Sequence, residues 1–595
     1  MTLPKHWLYN KDEDIVTSNL KGLLHSNPSL GYIEGERVLY NLNSDTSAKV
    51  TLISGGGAGH EPLHGGFVGE NLLDAAVSGA IFASPSTKQI MSAIKAKSNK
   101  EKGTLVIVKN YTGDFLHFGL VVERAKSEGY KIDIIPVADD VAVGRHQNAM
   151  VGRRGLAGTA LIHKILGAVS NQLKAELGTI VELGHLVNAN LVTLSASLDR
   201  TSVPGREEDD LEFTKHDEIE IGLGIHNEPG HKVSPIPNID TLIKDMFDKL
   251  VSSKDKDRHY VDFDLKNDEY VLVINNMGGS SSLELYAVAH HVVLNLPFDK
   301  RPKRVFISDF TTSLNAPGFS VTLLNLSNIE KQNKEWLHLK ILQYLDLPTD
   351  APGWKPKSYA PEEWDRTPQI INSPMEKHQK LTSKLKVSQQ SFERSLRNSM
   401  KKLLENEPMI TQYDTIVGDG DCGETLSRGA NGILKALRED RGFKNSLSDP
   451  VATISSITEI VEDSMGGTSG GLYSIFLTAL SKYLLQQKQA DPESISKAFH
   501  GALYDGLFKY TKARVGGRTL VDTLQPFVDS FSQSSDLNEA LNSARDGCEN
   551  TKKLKAKFGR ASYVEESNFK EGEIPDPGAF GLLSIIEGFL EGPSK

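Results

Sequence analysis

Six prolines crowd into Leu347–Pro374, at positions 348, 352, 356, 361, 368 and 374. Proline removes a backbone donor and disfavours helix in the residue before it, so neither a long helix nor a paired strand runs through such a stretch. The stretch divides the chain in two, and the two sides read differently. Up to Asp346, short apolar runs alternate with longer helical patterns: Val50–Ser54, Thr104–Val108, Ile132–Val137, Tyr270–Asn275 and Arg304–Ser308. Nearly continuous apolar runs suit strands covered on both faces of an α/β sheet. Each is followed by polar or Gly-rich residues, as expected where a site forms at the carboxyl end of a strand. The charged segment Lys249–Leu265 is expected to separate two lobes. Beyond Met375 strand-like runs are absent, and helical apolar spacing recurs in Lys380–Glu405, Val451–Met465, Leu472–Gln487, Ile495–Leu507 and Phe580–Gly588. The expected architecture is multidomain: a two-lobed α/β substrate domain over 1–346, a Pro-rich linker over 347–375, and an all-α helical domain over 376–595. Within the linker Trp354 and Trp364 could anchor the segment on one domain.

At 595 residues the chain is too long for one hydrophobic core. Its formal charge of -10 argues against nucleic acid as the main partner, since phosphate backbones are gripped by clustered Lys and Arg. The acidic run Glu207–Asp210 follows Pro204-Gly205 and reads as a solvated loop. Only two cysteines occur, Cys422 and Cys548, which excludes a disulfide framework and fits a reducing compartment. No apolar run has signal-peptide or membrane-spanning character, so a cytoplasmic protein is expected.

Chemistry gathers in two places. Tyr413–Gly423 reads YDTIVGDGDCG, where glycines let Asp414, Asp419 and Asp421 converge. Converging carboxylates repel unless a cation such as Mg²⁺ sits among them, holding phosphates on its remaining positions; an Asp/Gly-rich turn between helices is the plainer alternative. Met465–Tyr473 reads MGGTSGGLY, a hydroxyl- and amide-rich segment before a helix that suits phosphate, although it lacks the lysine of a P-loop. Upstream, Ser54–Pro62 reads SGGGAGHEP, Lys109–Asp114 reads KNYTGD and Ile219–Gly230 reads IEIGLGIHNEPG. Each could be a structural turn by itself. Together they offer His60, His226, a lysine and a carboxylate.

The order DTIVGDGDCG, GGTSGGLY, GGRTLVDTLQP (516–526), GRASY (559–563) and DPGAFG resembles the ATP-binding domain of the dihydroxyacetone kinase family, across 376–595. The order GGGAGHEP, KNYTGD, VGRRGLAGT (151–159), GLGIHNEPG and SLNAPGFSVTLL (313–324) resembles the substrate domain of the same family. The resemblance implies an antiparallel helical barrel holding ATP and Mg²⁺, with Asp414, Asp419 and Asp421 as metal ligands. It implies that Gly420, Cys422, Gly423, Thr468, Ser469, Arg518, Asp576 and Gly578 line the nucleotide. It implies a covalent hemiaminal between His226 and the ketone, with His60 bonding the substrate oxygen, Asp114 as general base, and Lys109 with the Gly57 backbone holding polar groups. Dihydroxyacetone is the implied substrate, with D-glyceraldehyde a second. A homodimer is also implied, in which one subunit's helical domain covers the other's ketone site. Both modules share one chain, which favours free ATP as donor. Some members also cleave FAD to a cyclic flavin phosphate and AMP. Ala58 stands where many members carry serine, a lost hydroxyl that leaves the glycine frame intact.

Overall fold

The computed structural model describes residues 14–146, 152–204, 214–357, 359–364, 369–370, 381–557 and 574–591. The chain divides into two compact units, Met1–Asn372 and Ser373–Lys595. Several features of the sequence reading lie outside the described residues: Glu207–Asp210, Val151, Pro368, Pro374 and the GRASY segment at 559–563.

The first unit is built on two six-stranded sheets. In the first, β1 (Leu30–Ile33), β2 (Val38–Asn41), β3 (Thr51–Ala58), β4 (Ala75–Ile81), β5 (Thr104–Lys109) and β6 (Ile132–Val137) lie in the order β1-β2-β4-β3-β5-β6. β3 pairs in parallel with β4 and β5, and β5 with β6, so these strands end on one edge. The second sheet contains β7 (Leu191–Ser197), β8 (Ile219–Ile221), β9 (His231–Val233), β10 (Tyr270–Asn276), β11 (Arg304–Ser308) and β12 (Gly318–Asn325), ordered β11-β10-β12-β7-β8-β9. Here β12 runs antiparallel to both neighbours, and only β10–β11 is parallel.

One helix, Gly158–Leu173, is buried at every residue from Gly158 to Ser170. A helix buried on every face lies in a core rather than at a surface, and its Leu161, Ile165 and Val169 pack in one cluster with Leu105 of the first sheet and Val271 and Phe306 of the second. The two lobes therefore share a core. Their boundary falls between β6 and β7, which corrects the placement at Lys249–Leu265. That charged segment follows the helix Ile239–Val251 inside the second lobe, where Val251 and Val261 are buried against Leu272 and Val321. Its lysines and aspartates mark a solvated loop.

Two further differences have local causes. β3 runs through Gly55–Gly57 to Ala58, so SGGG is strand rather than turn. A Cβ on Gly57 would lie 2.8 Å from the Ala83 amide and 3.0 Å from the Phe82 carbonyl carbon, so the bare backbone is what lets β3 continue beside its neighbour. The early part of the proline-rich stretch packs on the first unit. Trp354 meets the rings of Phe67, Phe306 and Phe310 at 6.3, 5.5 and 5.5 Å. Gly353 donates its amide to Gly66, and the buried Lys164 ammonium reaches the Leu347 carbonyl at 2.5 Å. The tryptophan anchor explains this, since burying an indole face outweighs the freedom of a short extended segment.

The second unit is the expected all-helical barrel. Its helices include Gln389–Val417, Cys422–Glu439, Pro450–Ser464, Gly467–Leu484, Pro492–Gly501, Val521–Ser534, Leu537–Asn550 and Pro577–Leu590. Ile495–Leu507 is not one helix. It breaks at Gly501 into a π turn, Ala502–Gly506, and a 3₁₀ turn, Leu507–Lys509. The helices enclose an apolar cavity of about 570 Å³ lined by Leu396, Ile433, Leu480, Phe527 and Leu582 among others.

Candidate active site

The carboxyl ends of β3 and β5 deliver the first half of the site. His60 follows β3, Lys109 closes β5, and Asp114 sits in the first turn of the helix Thr112–Ser127. Asp114 is therefore helical, not part of a free loop. The second lobe contributes His226, carried by the connection from β8 to β9, and the Thr312 carbonyl beyond β11. The sequence motifs converge because parallel strands end together and the shared core holds the lobes in register.

His60 is fully buried, and its Nδ1 lies 2.9 Å from the Thr312 carbonyl. A carbonyl only accepts, so Nδ1 carries the proton and donates. His226 Nδ1 lies 2.9 Å from the Glu228 carboxylate and donates by the same reasoning. The two Nε2 atoms meet at 3.0 Å, and in these tautomers both present a lone pair there. Phe82 stacks on His60 at 5.1 Å, and Tyr111 meets the His226 ring edge-on at 4.6 Å. Burial, then the Lys109 charge, holds the His60 imidazole well below the usual histidine range and keeps it neutral.

Lys109 is fully buried, and its ammonium has no hydrogen-bond partner among the described residues. Burial lowers its pKa to about 8, although Asp114, Glu228 and Glu61 partly offset it. Burial likewise pushes the Asp114 carboxyl above the usual carboxylate range, against the pull of Lys109 and of the Ser84 hydroxyl, which donates at 2.5 Å. A buried ammonium with free donors beside a carboxylate of raised basicity suits a small polyol that receives hydrogen bonds and loses a proton. Gly56 keeps that space open: a Cβ there would stand 3.1 Å from Asp114 Oδ2.

The acids of the second unit are placed differently. Asp414 lies in the last turn of Gln389–Val417, a helix reaching further than Glu405, and is buried. Its Oδ2 accepts the Cys422 amide at 3.0 Å, across the turn that Gly420 makes at φ +80°. Asp419 and Asp421 are exposed, and the three acids offer oxygens within 4.8 Å of one another. An all-oxygen anionic donor set of this kind fits a hard divalent cation such as Mg²⁺.

The phosphate-type motif starts a helix rather than preceding one, so Thr468 and Ser469 stand in the first turn of Gly467–Leu484. The Ser469 side chain hydrogen-bonds Cys422, which sets this turn against the acids. Thr468 is exposed, and Gly466, Gly467 and Gly471 have open space where a Cβ would stand. Cys422 has its thiol pushed up to about 12 by burial and by Asp414 and Asp576, so it is a neutral filler and no nucleophile. Asp576 caps Pro577–Leu590 by accepting the Ala579 amide at 2.8 Å, and loss of solvation raises its carboxyl to about 7 despite Arg518. Arg518 is buried, donating to the carbonyls of Leu554 and Ile574 at 2.9 and 3.0 Å. Gly578 lies beside Asp576, and Gly423 is buried where Cys422–Glu439 crosses Thr411 and Glu407. Gly423 is thus in a position to serve helix packing.

Sequence reasoning passed over Glu228, Phe82, Ser84, Tyr111 and Thr312. Glu228 and Tyr111 lie inside motifs already singled out, and their residue types were the available signal. Thr312 acts through its backbone, which no residue type announces.

Family models described as Dak1 domain and DAK2 domain match residues 21–353 and 416–591. A dihydroxyacetone kinase of Pichia angusta is 51% identical over 618 residues, covering 99% of each chain. A triokinase/FMN cyclase of Homo sapiens is 33% identical over 583 residues, covering 96% of each. Among solved structures, the dihydroxyacetone kinase of C. freundii in complex with AMP-PNP and Mg²⁺ aligns with TM-score 0.64 at 27% identity, over 98% of this chain and 99% of that one. Among the described residues no helix is long and apolar enough to cross a membrane. Two domain matches in one order and relatives aligned end to end establish that the chain belongs to the dihydroxyacetone kinase family.

Proposed function

We propose that this ATP-dependent kinase phosphorylates dihydroxyacetone, and D-glyceraldehyde beside it, with the ketone held as a hemiaminal on His226. The observation that carries the reading is the meeting of His226 and His60 through Nε2 beside Lys109 and Asp114. The His226 Nε2 lone pair adds to the carbonyl carbon, and the carbonyl π electrons move to oxygen. A proton from solvent passes through His60 Nε2 to that oxygen, and His60 ends neutral as it began. A three-carbon ketone offers little surface to grip, so a reversible covalent bond supplies affinity and rejects glycerol, which has no carbonyl. Lys109 and the Gly57 backbone orient the hydroxyls. Asp114 takes the proton of the hydroxyl as its oxygen bonds to the γ-phosphorus and the bond to ADP breaks.

Asp414, Asp419 and Asp421 would hold Mg²⁺, whose charge offsets that of the phosphates. Gly420, Cys422, Ser469, Thr468 and the open backbone of Gly466–Gly467 would receive the nucleotide, with Arg518, Asp576 and Gly578 beside it. Gly423 would support the loop from beneath. The chain is read as a cytoplasmic homodimer with domains as expected from sequence, except for the lobe boundary.

ADP release should be measured with dihydroxyacetone and with glycerol, in wild type and His226→Ala. Wild type should prefer the ketone strongly, and the variant should lose most of that preference by a rise in ketone KM of at least ~10²-fold. An unchanged preference would remove His226 from substrate capture. A second reading is favoured by the relative named triokinase/FMN cyclase: the same nucleotide site cleaving FAD to cyclic FMN and AMP. AMP appearing from FAD with Mn²⁺ or Mg²⁺, and lost in Asp419→Ala, would establish it as a side activity.

A further inference from the structure

Glu228 is two residues beyond His226 and folds back on it. Its Oε1 accepts the ring Nδ1–H at 2.9 Å, and its Oε2 accepts the His226 backbone amide at 2.9 Å. The turn is built around that carboxylate. Asn227 takes φ +65°, and Gly224 leaves room where a Cβ would run into the Glu228 carboxylate and the Arg154 guanidinium. Arg154 stands 3.9 Å from Oε2 and is itself fixed by Asp140 at 2.7 Å and the Gly222 carbonyl at 3.0 Å. Burial pushes the Glu228 carboxyl up, but the bonds from His226 and the Arg154 charge outweigh it and hold the group down to about 2. It is an anion wherever the enzyme works.

The need for that anion follows from the adduct. A neutral imidazole with hydrogen on Nδ1 attacks through Nε2. Once Nε2 bonds to carbon and the oxygen has its proton, the ring carries hydrogen on one nitrogen and carbon on the other, so it is a cation. The groups facing it are His60, Tyr111, Lys109, Asp114 and Glu228, with Arg154 behind. Lys109 and Arg154 oppose a new positive charge, and among the described residues only Glu228 touches the ring as an anion.

We infer that Glu228 is a positioning residue and counter-ion for ketone capture: it fixes His226 as the Nδ1–H tautomer, aims Nε2 at the carbonyl, and neutralises the charge that the hemiaminal creates. The inference rests on the proposed covalent capture. It separates Glu228 from a merely structural role because a counter-ion helps only when the ring gains charge on binding.

The test uses the full chain, with dihydroxyacetone carbon-13-labelled at its carbonyl as probe. NMR reads conversion of the carbonyl carbon to one bearing two heteroatoms, and ADP release gives KM and kcat from about pH 5 to about pH 9. Glu228→Gln retains the shape and can still accept from Nδ1 without the charge. At the alkaline end its ketone KM should rise about 10- to 100-fold, the range of a charge-assisted hydrogen bond, while kcat at saturating ketone changes far less. Glu228→Asp, which restores the anion, should recover part of the loss. A Glu228→Gln protein with wild-type KM, or one whose kcat falls as much as its KM rises, overturns the inference while leaving covalent capture in place. A His226→Ala protein that still forms the NMR adduct overturns both.

Discussion

The proposed ketone site and the acid cluster are built in opposite ways. At the ketone site His60, Lys109 and Asp114 are buried, the histidines are tied down through their outer nitrogens, and Lys109 retains free donors. At the acid cluster Asp414 alone is buried, while Asp419, Asp421 and Thr468 face solvent. A small neutral ligand brings almost no energy with it, so its site must be organised in advance. A nucleotide–metal complex brings charge and surface, so open carboxylates and bare backbone suffice until it arrives. The difference also shows in protonation: desolvation lowers the pKa of the His60 imidazole and of the Lys109 ammonium and raises that of the Asp114 carboxyl.

The sharpest way to break the comparison is Asp419→Ala. ADP release should fall on the order of 10³-fold, while the NMR signal of bound ketone is unchanged. Retention of near-normal rates would end the metal assignment and with it the contrast between the sites. Asp114→Asn should come next, with kcat lowered about 10²- to 10⁴-fold and ketone capture retained. The base must be ionised to act, and burial raises its pKa, so wild-type kcat should rise with pH through a point above the ordinary carboxylate range. The residual rate of Asp114→Asn should lack that limb.

Lys109 gives a smaller effect of opposite sign. Its ammonium is charged below about pH 8 and neutral above, so ketone KM should rise as pH passes that value. Lys109→Gln, neutral throughout, should start with a KM raised about 10-fold at neutral pH and show no alkaline rise. The mildest test concerns the segment between the sites. Trp354→Ala removes contacts with Phe67, Phe306 and Phe310 and should cost about 2 kcal/mol in denaturant unfolding of the first unit, with kcat unchanged.

The division into α/β and helical halves was legible because apolar runs and helical spacing differ in period, and both survive without tertiary information. The motifs were legible because Gly, His and Asp cluster where backbone must bend and charge must gather. The lobe boundary was not. A charged run such as Lys254–Asp257 looks alike whether it joins two lobes or caps a helix within one, and the helix that fuses the lobes reads as ordinary apolar sequence at Leu161–Val169. Helix starts at Thr112 and Gly467 were hidden by the glycines and hydroxyls that also serve as site chemistry.

The bond from His60 to the Thr312 carbonyl bears on how the site tolerates mutation. Every residue has a backbone carbonyl, so replacing Thr312 would cost its hydroxyl bond to the Glu61 carbonyl and leave the acceptor for His60 in place. The proton on His60 is thereby insulated from single-codon change. His226 has no such insurance, because its partner is the side chain of Glu228 and one substitution removes it. Variation among descendants of this chain should therefore be permissive at 312 and narrow at 228, although both positions do the same job for the ring they face.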